Sequence, residues 1–406
     1  MFVHFGVNTF TGREWGDGTE SPSIFSPAAL DARQWARTAR ATGFKSMILT
    51  AKHHDGFCLW PTRTTTHSVA SSPWHNGQGD VVREFVNACR VEGLKPGLYL
   101  SPWDRNAAAY GDSPRYTDFY IAQLTELLTR YGSLHEVWFD GANGEGPNGR
   151  KQQYDWPRVW STVRRLQPDA VMFSDAGPDL RWIGNERGAA GITNWSTVDP
   201  TIVTVPGMSG DEVMRSLQDG DRDGTAWRPG ETDVSIRPGW FHHEAEDMKV
   251  RSSDDLVSLY FSSVGRNSKL LLNVPPTRDG LLHASDIASL TAMRAQLDAV
   301  FATDLAAGAT QYFRGISDRT AEVSVTMRAP AMIGVIDLRE TIANGQRVAR
   351  YRVEGYVGDA WQPLCVGTTI GARRLERIAP VRCARLRLLI DDCAETPLPV
   401  AVHCYA

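Results

Sequence analysis

Several function classes are missing their signatures from this sequence. No stretch approaches the roughly 18 consecutive apolar residues of a membrane span. No Lys/Arg-rich run occurs, and 43 basic against 47 acidic side chains leave a net charge of −4, which argues against a nucleic-acid surface. Cysteine is scarce: six in 406 residues, with no CxxC pair and no zinc-ribbon spacing. Cys365, Cys383, Cys393 and Cys404 fall near the C-terminus, where a disulfide is conceivable, but buried free thiols are the expectation for all six, Cys58 and Cys89 included. No GxGxxG follows the first strand and no GxxxxGK[ST] occurs, so a nucleotide fold has no phosphate cradle; HxH and HExxH are absent as well. The opening MFVHFGVNTF has no basic n-region, apolar h-region or small-residue cleavage site. That points to the cytoplasm, or to a secreted or periplasmic protein if a leading segment was removed. No internal repeat or low-complexity tract is present.

Tryptophan, by contrast, is plentiful. Thirteen occur, several beside polar residues, as in Glu14-Trp15, Trp74-His75 and Trp103-Asp104. A flat ring next to carboxylates and imidazoles suits a sugar, whose apolar C–H face stacks on the ring while its hydroxyls meet the polar neighbours.

Short apolar runs alternate with helical periodicities. Strands are expected at 2–6, 46–50, 95–101, 135–140, 170–175 and 269–274, and helices at 31–43, 81–93, 116–132, 155–168, 254–267 and 284–301. Repeated βα units imply a parallel sheet with helices outside. A length of 406 residues accommodates a barrel of roughly 250–300 residues and a smaller domain. Residues 176–250 are rich in Gly, Asp and Trp and poor in periodicity, so the barrel is expected to be irregular. Beyond about residue 305 the segments become short and alternating, as in TAEVSVTMRA and RCARLRLLI. The expected fold is an α/β one, an irregular (β/α)8-like barrel over 1–303 followed by a small antiparallel β-sandwich over 304–406, the latter for support or sugar binding.

The polar residues gather where strands end. His4 lies on the first strand, His53, His54 and Asp55 close the second, and Tyr99, Trp103 and Asp104 close the third. Asp140 ends the apolar run of HEVWFDGANGEG. At the C-terminal face of a barrel these positions converge on one pocket. Asp140 could instead simply cap the next helix. His53, His54, Asp55 and Asp140 could also serve a metal, but adjacent histidines on a strand point to opposite sides, so no metal site is expected. Hydrolysis of a glycoside by two carboxyl groups fits better, with Asp140 as the rigidly held nucleophile. Its proton donor would come from Glu145, Asp175, Asp179, Glu186, Glu231, Glu244 or Glu246, among which Glu186 is flanked by Trp182, Ile183 and glycines.

Six stretches together, FVHFGVNTFTGREWGDGTE, ILTAKHHDGFCLWPT, GLYLSPWDR, EVWFDGANGEG, RWIGNERG and SIRPGWF, resemble the α-L-fucosidases of glycoside hydrolase family 29, in particular the branch that acts on α-1,3/1,4-linked fucose. The resemblance runs from residue 2 to about 300. It implies that Asp140 is the nucleophile and Glu186 the acid/base, and that His4, Glu14, Trp15, His53, His54, Tyr99, Trp240 and Arg237 bind fucose, with Trp240 and Phe57 against its C6 methyl. It implies a retaining mechanism through a covalent fucosyl-enzyme, no cofactor and no catalytic metal. The expected partner is a fucosylated oligosaccharide or glycoconjugate glycan, with no nucleic acid and no membrane. A broad α-L-fucosidase and a non-catalytic fucose-binding protein are the alternatives. Family members usually carry more chain before the HFG strand, so the native protein is expected to extend before Met1 or to have been trimmed there.

Overall fold

A computed structural model describes residues 1–406. Eight parallel strands lie side by side: β1 (Phe2–Val3), β2 (Ser46–Lys52), β3 (Lys95–Leu100), β4 (Glu136–Trp138), β5 (Val171–Phe173), β6 (Arg181–Trp182), β7 (Gly230–Ser235) and β8 (Ser268–Asn273). β1 pairs with both β2 and β8, and a single bridge between Phe173 and Leu180 ties β5 to the start of β6. The sheet is therefore a nearly closed (β/α)8-like barrel. Its irregularity has a definite location: β5 passes to β6 with no helix between them.

The helices α1 (Ala32–Ala41), α2 (Val81–Val91), α3 (Ser113–Arg130), α4 (Trp156–Leu166), α5 (Asp211–Asp219), α6 (Ser253–Ser262) and α7 (Ala284–Val300) cover the barrel. In α1, Ala32, Trp35, Ala36 and Ala39 are buried, the i, i+3, i+4, i+7 face of an amphipathic helix, and the Asp31 carboxylate accepts the Gln34 N–H at its start. Asp80 and Asp155 cap α2 and α4 in the same way. Proline fits the first turn of α3, where an N–H would have no partner, so this helix starts at Ser113 rather than at the expected residue 116.

Side chains on a strand alternate between faces. On β4, Glu136 and Trp138 face the barrel interior and Val137 faces the helices; two residues on, the same phase brings Asp140 to the mouth. Phe2, Ile48, Tyr99, Trp138, Phe173 and Leu271 form an aromatic plug inside the barrel, with Trp138 stacked on Phe173 at 4.3 Å. Below it, Lys269 bridges the carboxylates of Glu136 and Glu231. Burial and the Glu136 charge push the Glu231 carboxyl up.

The strand β7 (GETDVS) was not expected. Its inward positions are Glu231, Asp233 and Ser235, so its polar residues are buried and a hydropathy reading does not find it. All of 230–235 is buried.

A six-stranded antiparallel sheet follows: β9 (Thr310–Gly315), β10 (Ala321–Glu340), β11 (Val348–Val357), β12 (Ala360–Gly367), β13 (Arg374–Cys393) and β14 (Val400–Tyr405). β10 and β13 are 20 residues long and broken by register shifts, so each serves both layers of a sandwich. Alternate residues Ala321, Val323, Val325 and Met327 enter its core. The sandwich docks on the stretch between β6 and β7: the Asn194 N–H donates to Thr369, the Ser196 N–H to Gln346, and Arg222 pairs with Asp392 at 2.8 Å. All six cysteines are unpaired, and no helix is long and apolar enough to cross a membrane.

Beneath the barrel mouth, Lys52 and Asp104 form an ion pair at 2.8 Å with side chains 0% and 2% exposed. Gln123 also accepts from the ammonium, and Asp104 takes the Asn106 and Ala107 N–H groups. Lys52→Met strands a buried carboxylate and is expected to cost about 3–5 kcal/mol in chemical denaturation. A loss under about 1 kcal/mol would remove this pair from the forces that shape the mouth.

Candidate active site

A cleft of about 400 Å³ opens at the C-terminal ends of the strands. Its floor is the top of the aromatic plug, Phe2 and Trp138, and its walls carry the titratable groups. Asp140 stands at the end of β4. One carboxylate oxygen accepts the Tyr99 hydroxyl at 3.0 Å and the other accepts the Ala142 N–H at 2.7 Å. These bonds fix the direction of the carboxylate, and 27% exposure leaves it open to the cleft. It does not cap a helix, since α4 begins at Trp156 and is capped by Asp155.

The histidines are poised as neutral hydrogen-bonding groups. Burial pushes His4 down to about 3 and lowers His53 and His54, the two rings repelling each other's charge as well in the case of His53. Asn273 donates its amide to Ser235 and to the Trp240 carbonyl, so its oxygen accepts from His4 Nδ1–H at 2.8 Å. Ser101 donates to the Trp103 carbonyl and therefore accepts from His54 Nδ1–H at 2.7 Å. In both rings Nε2 keeps a lone pair, and that of His54 lies 3.9 Å from Asp140. His53 Nδ1 faces the Asn8 amide donor at 3.5 Å, which favours a proton on its own Nε2. The set offers two acceptors and one donor, a match for hydroxyl groups, which do both.

Glu14 lines the cleft but also builds it. Its carboxylate accepts the Trp240 N–H at 2.7 Å, the Phe241 N–H at 3.3 Å and His243 Nε2–H at 2.7 Å. Gly239 makes this approach possible, because a Cβ there would collide with the Glu14 carboxylate. Trp240 is thereby held over the cleft, its ring 5.0 Å from His4. Trp15 stands at the rim, 59% exposed, edge-on to Trp103 and His54.

Glu186 reaches the same cleft from the loop after β6. Asn185 shapes that loop, donating to the Ala189 carbonyl and to Gln218 while accepting the Arg187 N–H. Desolvation and the Asp140 charge raise the Glu186 carboxyl above the usual glutamate range, with the Trp240 indole acting the other way.

The cleft thus collects nine of the ten residues singled out from the sequence: His4, Glu14, Trp15, His53, His54, Tyr99, Asp140, Glu186 and Trp240. Arg237 is not among them. It is fully buried and turned away, pairing with Asp286 at 3.0 Å and Asp247 at 2.8 Å, so it anchors the turn before Trp240 and does not face a ligand. Phe57 also departs from expectation. It packs behind the site against Phe25 and His67, and the apolar surface in the cleft belongs to Phe2, Trp138 and Trp240. Tyr99, expected as a sugar contact, donates its hydroxyl hydrogen bond to Asp140.

Of the other proton-donor candidates, none lines the cleft. Asp179 is engaged by Arg164, Glu231 lies under the plug, and Asp175 holds the Gly207 N–H at 2.8 Å, pushed up to about 6 by burial. Asp55 is buried as well, accepting from Asn8 and from the Phe57 N–H. The sequence reading missed Asn273, which orients His4 and Trp240, and Asp233, which lines the cleft. Inward phase on β8 and β7 is their only local signal. No set of three His, Cys, Asp or Glu side chains converges as an ion site.

Comparison with known proteins agrees with this geometry. The alpha-L-fucosidase family model matches residues 7–299. Alpha-L-fucosidase 1 of Arabidopsis thaliana is 42% identical over 98% of this chain and 83% of its own length. A glycoside hydrolase 29 family member from an unknown rumen bacterium, 40% identical, superposes with a TM-score of 0.91 over all of this chain and 74% of its own. A Ruminococcus gnavus family 29 fucosidase in complex with fucose is 32% identical, with a TM-score of 0.88 over all of this chain and 91% of its own.

Proposed function

The chain belongs to the α-L-fucosidase family, glycoside hydrolase family 29, and from that premise we propose that this α-L-fucosidase removes α-1,3/1,4-linked fucose from branched glycans with retention of configuration. One observation carries the mechanism. A fixed carboxylate, Asp140, and a carboxyl raised above the usual glutamate range by its surroundings, Glu186, share one cleft, and the charge of the first acts on the second. A nucleophilic carboxylate beside a carboxyl that holds its proton more tightly is what acid-assisted displacement needs.

In the first step an Asp140 oxygen attacks C1 of fucose as the C1–O bond breaks, and Glu186 gives its proton to the departing oxygen. In the second, Glu186 takes a proton from water, the water oxygen attacks C1, and the bond to Asp140 breaks. Two inversions restore the starting configuration, a chemistry that needs the carboxyl groups about 5–5.5 Å apart. Tyr99 steadies Asp140 through its hydroxyl. The neutral His4, His53 and His54 receive the fucose hydroxyls, and Phe2 and Trp240 cover its apolar side, including the C6 methyl. Arg237 acts only by holding the turn that ends in Trp240. No cofactor enters any step.

Two features support the branched substrate. RWIGNERG resembles the acid/base motif of the α-1,3/1,4 branch, and the exposed Trp15 beside Trp103 forms an apolar ledge at the rim, beyond the space around Asp140. A second sugar linked next to the fucose could rest there. The test is fucose release from a Lewis-type trisaccharide, a linear α-1,2-fucosylated galactoside and an aryl fucoside. The branched sugar is expected to react at least about tenfold faster in kcat/KM than the linear one, which needs only ~1.4 kcal/mol of extra transition-state binding. Equal rates for these two would leave an α-L-fucosidase without the branch requirement.

A further inference from the structure

Resting on the reading of Glu186 as the acid/base, we propose that Asp233 is a positioning residue for it: by accepting the Trp182 indole proton, Asp233 fixes the strand end and loop from which Glu186 projects. The bond runs from Trp182 Nε1 to Asp233 Oδ1 at 2.8 Å. Trp182 is the last residue of β6, and its register partner on β7 is Glu231, so Asp233 is the next inward position toward the mouth. Four residues beyond Trp182 comes Glu186.

The segment between them is pinned at three points. At its start, Trp182 is tied to Asp233. Then the Ile183 N–H donates to the Glu231 carbonyl at 3.1 Å, and the Ile183 side chain is fully buried. At the far end, Asn185 holds Ala189 and Gln218. Gly184 sits between at φ +80°, a conformation that gives the loop its turn but no side chain to hold it. Without the Trp182 anchor the ring could swing, and the loop would pivot about its rear attachments.

Asp233 itself is 4% exposed and has no cationic partner among its hydrogen bonds, a costly setting for a carboxylate. Burial and the Glu186 charge push its carboxyl well above the usual range, which favours the neutral form. A neutral acid still accepts the indole proton through its carbonyl oxygen, and it does not repel the charge that Glu186 acquires after giving up its proton.

The experiment compares Asp233→Ala, Asp233→Asn, Trp182→Phe and Glu186→Ala on a fucosyl oligosaccharide and a nitrophenyl fucoside. Asp233→Ala and Trp182→Phe are expected to lower kcat/KM, which reports the first step, on the oligosaccharide by about 10–100-fold, the penalty of a misplaced catalytic group. On the nitrophenyl fucoside, whose leaving group needs little proton help, the loss should stay within about threefold. Asp233→Asn keeps an oxygen acceptor for the indole and should recover most of the oligosaccharide rate. Inhibition by free fucose should be unchanged in the Asp233 and Trp182 variants, while KM for the nitrophenyl fucoside falls together with kcat as the shared second step slows.

Equal losses on both substrates overturn the proposal. So does weaker inhibition by fucose in Asp233→Asn, which would mean that Asp233 touches the sugar. Trp182→Phe breaks the same bond from the other side, so the test survives if Asp233→Ala does not fold. Glu186→Ala separates the two levels of inference. If it too lacks leaving-group dependence, the acid/base reading fails and takes this inference with it. If it shows that dependence while the Asp233 and Trp182 variants do not, the positioning role alone fails.

Discussion

Asp140→Gly should lower fucoside hydrolysis by on the order of 10⁴-fold or more, a transition-state loss of about 5.5 kcal/mol. The size follows from what the side chain supplies. It provides the attacking atom, and Tyr99 and Ala142 have already fixed that atom's direction, so neither water nor a neighbouring carboxyl occupies the same place with the same order. Glycine removes the carboxylate and leaves a space on the face opposite the leaving group. Azide, small and anionic, can attack from that space, so the variant with an aryl fucoside and azide is expected to yield β-L-fucosyl azide. The wild-type enzyme should release α-L-fucose first, as read by proton NMR before mutarotation mixes the anomers. β-L-Fucose as the first product would sink the double displacement. A residual rate within about 100-fold of wild type would sink Asp140 as the nucleophile.

Glu186→Ala is the other large effect, and its size depends on the substrate. With a sugar as leaving group the loss should be about 10²–10⁴-fold, the usual contribution of a general acid, whereas an activated aryl fucoside keeps most of its first-step rate. A pH signature goes with it. Glu186 must be protonated to act as the acid, and desolvation together with the Asp140 charge raises its carboxyl above the ordinary 4.5. In the wild-type enzyme kcat/KM should therefore fall as pH rises through this raised value. Glu186→Ala should lose that basic limb while retaining activity on the aryl substrate. A limb that persists unchanged in the variant would assign it to another group. The histidines do not supply it by losing a proton, because burial moves that loss, for all three, below the ordinary imidazole range.

Both residues are legible in the sequence, but for different reasons. Asp140 follows an apolar strand whose alternation is plain: Glu136, Trp138 and Asp140 share one phase while Val137 and Phe139 face the helices. Glu186 has no such pattern. Composition ranks it hardly above Glu145, and the RWIGNERG resemblance singles it out; in the fold Glu186 lines the cleft, while Glu145 is not part of the lining and meets Trp103 at the rim through its carbonyl. Arg237 is expected at the sugar only because it shares the SIRPGWF motif with Trp240, and sharing a motif does not fix which way a side chain points. The strand and turn put Trp240 over the cleft, while Arg237 points back between Asp247 and Asp286.

By itself, the sequence determined the βα alternation, the sandwich texture beyond residue 305 and the strand ends that carry His4, His53, His54, Tyr99 and Asp140. These are local properties, written in periods of two and 3.6 and in caps such as Asp31 and Asp80. Only the tertiary structure decided that β7 exists, since a strand whose inward face is Glu231, Asp233 and Ser235 inverts the hydropathy signal by which strands are read. Only there do Asn273 and His4, 269 residues apart, or Asp233 and Trp182, 51 apart, become partners. A polar side chain buried at a barrel mouth is satisfied by whichever donor or acceptor closure brings opposite it, and closure is a property of all eight strands together.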